Sequence, residues 1–171
     1  MKRKILFYLF FIIFFLLLQT TLLKHVSIFG VMPNILITFT IVTAIVRNST
    51  EGSVVGFFSG LCIDMQFGSV LGFHALLMLY LGMAAGSISK RVYRENLMIV
   101  VFFTFVYSVA YEAAVYLISN ILNTDIRIIF AFTNVILPEA IYNCAVSILL
   151  FPLVLRAGRK FDASGTVARK Y

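Results

Sequence analysis

Along the chain, long apolar runs alternate with short polar connectors, and the spacing of the connectors predicts the elements. Lys2-Arg3-Lys4 precedes an unbroken run from "ILFYLFFIIFFLLL" to Leu23. A basic start before an apolar core has the form of a signal peptide. No small-x-small cleavage site follows, however, and the first alanine is Ala44, so an uncleaved membrane-crossing helix is expected over residues 5–23. Pro33 interrupts the chain next, and Asn34 is a suitable N-cap for a second helix over 34–48. Its apolar part, "ILITFTIVTAIV", holds 12 residues, which cover about 18 Å of a ~30 Å hydrocarbon core. A span this short has to borrow from its flanking polar residues or thin the bilayer.

"RNSTEG" makes a tight polar turn, and further apolar runs predict spans over 52–65, 69–89 and 97–119. The stretch of 28 residues from Ile128 to Leu155 is too long for one upright span. Pro138 is a natural helix start, which gives a last span over 135–155 and leaves 126–134 as an interfacial or re-entrant segment. Residues 156–171 read as a polar cytoplasmic tail that loses order toward its end. The expected fold is all-α: one integral membrane domain of six transmembrane helices.

Composition sharpens this picture. Of 171 residues, 61% are hydrophobic and 12% charged, more apolar surface than a soluble domain of this size could bury. The net charge of +7 does not indicate nucleic acid, because the basic residues flank apolar runs and form no continuous surface for a strand or duplex. With the N-terminus inside, 12 of the 14 Lys and Arg residues fall on the inner side, leaving Lys24 and Arg127 outside. Fusing the second and third spans would place "KRVYREN" outside and spoil that distribution, so six spans with both termini cytoplasmic are expected. Cys62 and Cys144 lie within apolar runs and read as small buried hydrophobes, with neither a disulfide framework nor metal spacing.

The polar and glycine positions inside the runs carry the candidate chemistry. Gly52, Gly56 and Gly60 fall on one helix face, with Asp64, Gly68 and Gly72 continuing the four-residue spacing. In lipid, close backbone approach is a main source of helix attraction, so this face is expected to be a contact surface. It serves either packing within the bundle or a partner's helix, and Gly82 and Gly86 repeat the device. Asp64 either closes the turn and caps the next segment, or anchors a partner or His74 through its charge. Glu112 shares a helical stripe with Ser108 and Tyr116, where a hydrogen-bonded acid would join helices. Asn143 is a further interhelical hydrogen bonder, and Glu139 follows Pro138 where a helix dipole would favour an anion. Catalytic patterns are missing. "GFFSG" has one residue too many for the G-x-S-G of rhomboid proteases, His25 and His74 lack companions for a metal site, and there is no P-loop.

The order of these features resembles the rod shape-determining protein MreD family of bacteria. The similarity rests on "PN" before the second span and on "GFFSGLCIDMQFGSVLGFHAL" over the third and fourth. A basic loop, an acid in the fifth span and "LPEAIYNCAVSILLFPL" in the sixth complete it. Its most specific part is the G-F-x-x-G-x-x-x-D pattern of Gly56, Phe57, Gly60 and Asp64, followed by Leu71-Gly72 and Ala75. The resemblance implies a non-enzymatic subunit of the cell-elongation machinery in the bacterial inner membrane, with no cofactor. It also implies association with the bitopic MreC and, through the complex, with MreB filaments and peptidoglycan synthases. A different class with similar size and topology is the substrate-binding S component of energy-coupling-factor vitamin transporters. Those proteins carry an Ala-x-x-x-Ala docking motif in the first helix, and no alanine stands there in this chain.

Overall fold

The computed structural model describes residues 2–21, 31–67, 71–89, 96–122 and 128–167, and every element among them is helical. In chain order these are α1 (Lys2–Thr21), α2 (Ile35–Val46), α3 (Ser49–Phe67), α4 (Phe73–Ile88), α5 (Leu97–Leu122), α6 (Ile128–Ala131), a π turn (Phe132–Ile136) and α7 (Leu137–Val167). Lys4–Thr21, Leu97–Ser119 and Phe132–Lys160 are long and apolar enough to cross a membrane, whereas Ile35–Val46 and Phe73–Ile88 are shorter apolar helices.

The short helix is the centre of the bundle. All twelve residues of α2 are buried, and α1, α3, α4, α5 and α7 all pack on it. The length problem posed by the sequence is therefore met in a third way: α2 is sheathed in protein, so it need not match the hydrocarbon thickness. Thr38 and Thr40 fit an apolar core because their hydroxyls bond backward along the helix, Thr38 to the Asn34 carbonyl at 3.0 Å and Thr40 to the Leu36 carbonyl at 2.9 Å, whereas the buried Thr43 hydroxyl has no partner. α1 lies on the outside. It packs Ile12 and Phe15 inward, with the Phe15 ring 5.1 Å from that of Phe39, and leaves Leu6, Phe10 and Leu17 exposed.

Several boundaries differ from the sequence expectation. α4 begins at Phe73, because Gly72 adopts φ 96° and caps the helix, its carbonyl accepting from the Leu76 N–H at 3.0 Å. No break occurs before Pro138, since helical winding enters from α6 through the π turn. Proline lacks the N–H that an α-helical rung needs, and a π turn already shifts the ladder by one residue, so the missing donor falls where bonding changes over. The polar stretch from Arg156 is also helical as far as Val167, while residues 168–171 lie outside the described set.

The start of α1 and the later turns of α7 share one end of this bundle. Lys4 reaches Glu51 at 3.4 Å, the backbone of Gly86 abuts Ser49, and that of Gly158 abuts the Arg47 side chain. α1 begins there and α7 returns there.

Candidate functional site

The glycine face predicted from sequence is the seam between α3 and α4. An added Cβ at Gly52 would lie 2.3 Å from the Ala44 Cβ, one at Gly56 2.2 Å from the Met78 carbonyl oxygen, and one at Gly60 2.5 Å from the Ala75 Cα. From the other side, a Cβ at Gly82 would lie 2.3 Å from the Gly52 carbonyl oxygen, and one at Gly86 2.3 Å from the Ser49 Cα. The two helices run antiparallel in steady register, position 49 against 86, 52 against 82, 56 against 78 and 60 against 75. Steps of three or four residues on both helices keep these positions on the same stripe, which brings the backbones into contact. Of the two uses open to this face, the structure gives it to α4 and α2. Gly68 lies outside the described residues, and Gly72 is required by its positive φ, since nothing stands within 4 Å of where its Cβ would be.

Asp64 closes the far end of this seam. It is 2% exposed, and both carboxylate oxygens are used twice. Oδ1 accepts from the His74 N–H at 3.0 Å and from His74 Nδ1 at 2.9 Å, while Oδ2 accepts from the Gly72 N–H at 3.0 Å and the Ala75 N–H at 3.1 Å. The first N–H groups of a helix have no partner of their own, and here a carboxylate from the preceding helix supplies it. Because a carboxylate only accepts, the imidazole presents Nδ1–H. The turn-closing and His74-anchoring roles are thus one arrangement.

A second antiparallel seam joins α5 to α7, and it is polar. Asn143, fully buried, donates from Nδ2 to the Ser108 hydroxyl at 3.2 Å and accepts from the Asn34 N–H at 2.8 Å. One turn along each helix, the buried side chains of Glu112 and Glu139 lie beside each other. Glu139 therefore has a different role from the one its place after Pro138 suggests: the helix does not start there, so no free N-terminus attracts its charge. Sequence placed Ser108 and Glu112 on one stripe but gave no sign that Asn143 and Glu139 face them. The Asn143 contact also serves α2, whose first amides are capped from three sides, Ile37 N–H by Asn34, Asn34 N–H by Asn143, and Ile35 N–H by Gln19 Oε1 at 3.2 Å.

At the opposite end of α3, sequence reading passed over a third polar group. Glu51 accepts from Arg47 Nε at 3.1 Å and Nη2 at 3.3 Å, from Lys4 at 3.4 Å and from the Tyr8 hydroxyl. Asn48 Oδ1 accepts from the Glu51 N–H at 2.8 Å. Burial raises the Glu51 carboxyl, but the bonds from Arg47 and Tyr8 and the charges of Arg47 and Lys4 outweigh it and hold it below its ordinary value. The signal was present in "NSTE", an Asn N-cap with Glu at the third helical position. Among the described residues no group of three or more His, Cys, Asp or Glu side chains could hold a metal ion.

These seams lie inside the chain, between its own helices. The model of the rod shape-determining protein MreD family matches residues 1–161 of the 171. No curated protein and no solved structure matches the chain. A match over nearly the whole length, on a bundle of apolar helices, places this membrane protein in the rod shape-determining MreD family.

Proposed function

We propose that the chain is a non-catalytic scaffold subunit of the bacterial cell-elongation complex, carried in the inner membrane with both termini cytoplasmic. The observation that supports this most is the family match over residues 1–161. The six passes are made by α1 to α5 and by α7, near the spans 5–23, 34–48, 52–65, 69–89, 97–119 and 135–155. The partner is the bitopic MreC, met by helix–helix contact, with MreB filaments and peptidoglycan synthases joined through the complex. Since α4 and α2 occupy the glycine face, the partner's helix has to sit on an outward surface. α3 and α4 offer Val54, Phe58, Leu76, Tyr80 and Met83, all exposed apolar side chains. Depleting the protein in rod-shaped cells should round them within a few generations. Cells that stay rod-shaped after depletion would exclude the role.

The orientation follows from the inner excess of basic residues, and thiol labelling checks it. With Cys62 and Cys144 replaced, a single cysteine at exposed Asn96 should resist an impermeant reagent outside intact cells, and one at Asn123 should react. The reverse pattern inverts the topology. Ser89, at 2% exposure, would be protected either way and is no reporter.

A further inference from the structure

α5 and α7 carry two acids into the bundle with no cation to meet them. The 3.2 Å bond from Asn143 to Ser108 fixes the register of these antiparallel helices. One turn further along each, Glu112 stands beside Glu139, the two being 8% and 9% exposed. Other buried carboxylates of this bundle are well supplied with donors. Asp64 accepts four bonds from Gly72, His74 and Ala75, and Glu51 accepts from Arg47, Lys4 and Tyr8. At the Glu112–Glu139 pair the supply is short. No Lys or Arg stands in α2, α3, α4 or α5, nor in α7 before Arg156. The donor at hand is Tyr111, 4% exposed, its hydroxyl without a hydrogen-bond partner and within electrostatic reach of both acids. One neutral donor can answer one buried charge, but two like charges side by side in a low-dielectric interior would stay uncompensated. Two acids are also too few to hold a metal ion, and among the described residues no third His, Cys, Asp or Glu completes such a group.

We propose that Glu112 and Glu139 together bind one exchangeable proton, which joins α5 to α7 and leaves a single charge for Tyr111 to answer. With the proton in place, one carboxyl donates and the other accepts. Once it passes to water, two carboxylates face each other and the seam loosens there. Other titratable groups face the pair without replacing the proton. Tyr116 shares its stripe on α5, and α7 adds Tyr142 and Cys144. On α4, His74 is already bonded to Asp64 and Tyr80 is exposed, while α2, α6 and the π turn contribute none.

Unfolding of the full-length chain in mild detergent over a range of pH tests this. A glutamate in the unfolded chain loses its proton near pH ~4.3, whereas the folded pair keeps one, so stability is greatest in acid. As pH rises from about 5, the unfolding constant should grow about tenfold per unit, then level off once the folded pair also releases its proton. Glu112→Gln with Glu139→Gln keeps the shape and removes the titration, so this part of the slope should vanish. Asp64 and His74 titrate in both proteins, so the difference between the two slopes belongs to the pair. Tyr111→Phe removes the donor for the remaining charge and should move the levelling-off about one unit higher. Infrared spectra at neutral pH should show the carbonyl stretch of a protonated carboxyl group in the wild type, and its loss in the double variant. Three results would overturn the assignment: absence of that band, equal pH slopes in wild type and double variant, or stability that follows sodium concentration at fixed pH, which would put a cation in the proton's place.

Discussion

Gly56→Leu should destabilise the purified protein by about 3 kcal/mol, the upper part of the range for overpacking a dense core. The reason is what the new side chain would meet. Its Cβ alone falls 2.2 Å from the Met78 carbonyl oxygen and 2.8 Å from the carbonyl carbon. A side-chain neighbour could change rotamer, but a backbone carbonyl in the middle of α4 can move only if the helix moves. Separating α3 from α4 also strains Gly52 against Gly82 and Gly60 against Ala75, since all lie on one seam. Val54→Leu, two residues away but 48% exposed, should stay within about 0.5 kcal/mol of wild type. Unfolding of both variants in detergent makes the comparison. Equal stability of Gly56→Leu and Val54→Leu would mean the seam is not closed.

Asp64→Asn, usually a mild exchange, should cost a similar ~3 kcal/mol. Asparagine caps and turns as well as aspartate where one oxygen suffices. Here Oδ1 and Oδ2 each accept two bonds, Oδ1 from the backbone N–H and Nδ1 of His74 and Oδ2 from the Gly72 and Ala75 N–H groups. An asparagine has one accepting oxygen, and its NH2 group would face N–H donors whichever way the amide turns. At least one buried donor pair loses its partner, and the charge that answered the α4 N-terminus is gone. The loss should appear as lower thermal stability and as faster hydrogen exchange at the start of α4. His74→Ala removes only the imidazole bond, so it should cost less than half as much. If Asp64→Asn melts with wild type, the carboxylate is not the cap.

How far the sequence foretells this structure depends on what each residue type can signal. The four-residue glycine spacing in α3 and α4 was legible because only backbone contact explains so many absent side chains on one face. The break at Arg47-Asn48 was legible from charge, and Asp64 as a turn-closing acid from its place before Gly72. The central position of α2 was not. In a membrane protein, residues such as Phe39, Ile41 and Ile45 look the same whether they face lipid or protein, so twelve apolar residues read only as a short span. The α5–α7 seam was half legible: Ser108 and Glu112 share a stripe by arithmetic, but pairing with Asn143 and Glu139 depends on the register of two helices separated by a long connection. Pro138 pointed to a helix start because proline ordinarily interrupts α winding, and the π turn that accommodates it leaves no mark in composition.

The central claim is that a bundle closed by its own seams serves as a membrane scaffold for other proteins. Purification of the tagged full-length chain from native membranes in mild detergent, with identification of what comes with it, tests that most directly. The account predicts stoichiometric recovery of MreC, kept by Val54→Leu and reduced in Gly56→Leu, where the α3–α4 surface is displaced. A chain that emerges without protein partners but with one tightly held vitamin per molecule would contradict it and favour the transporter class.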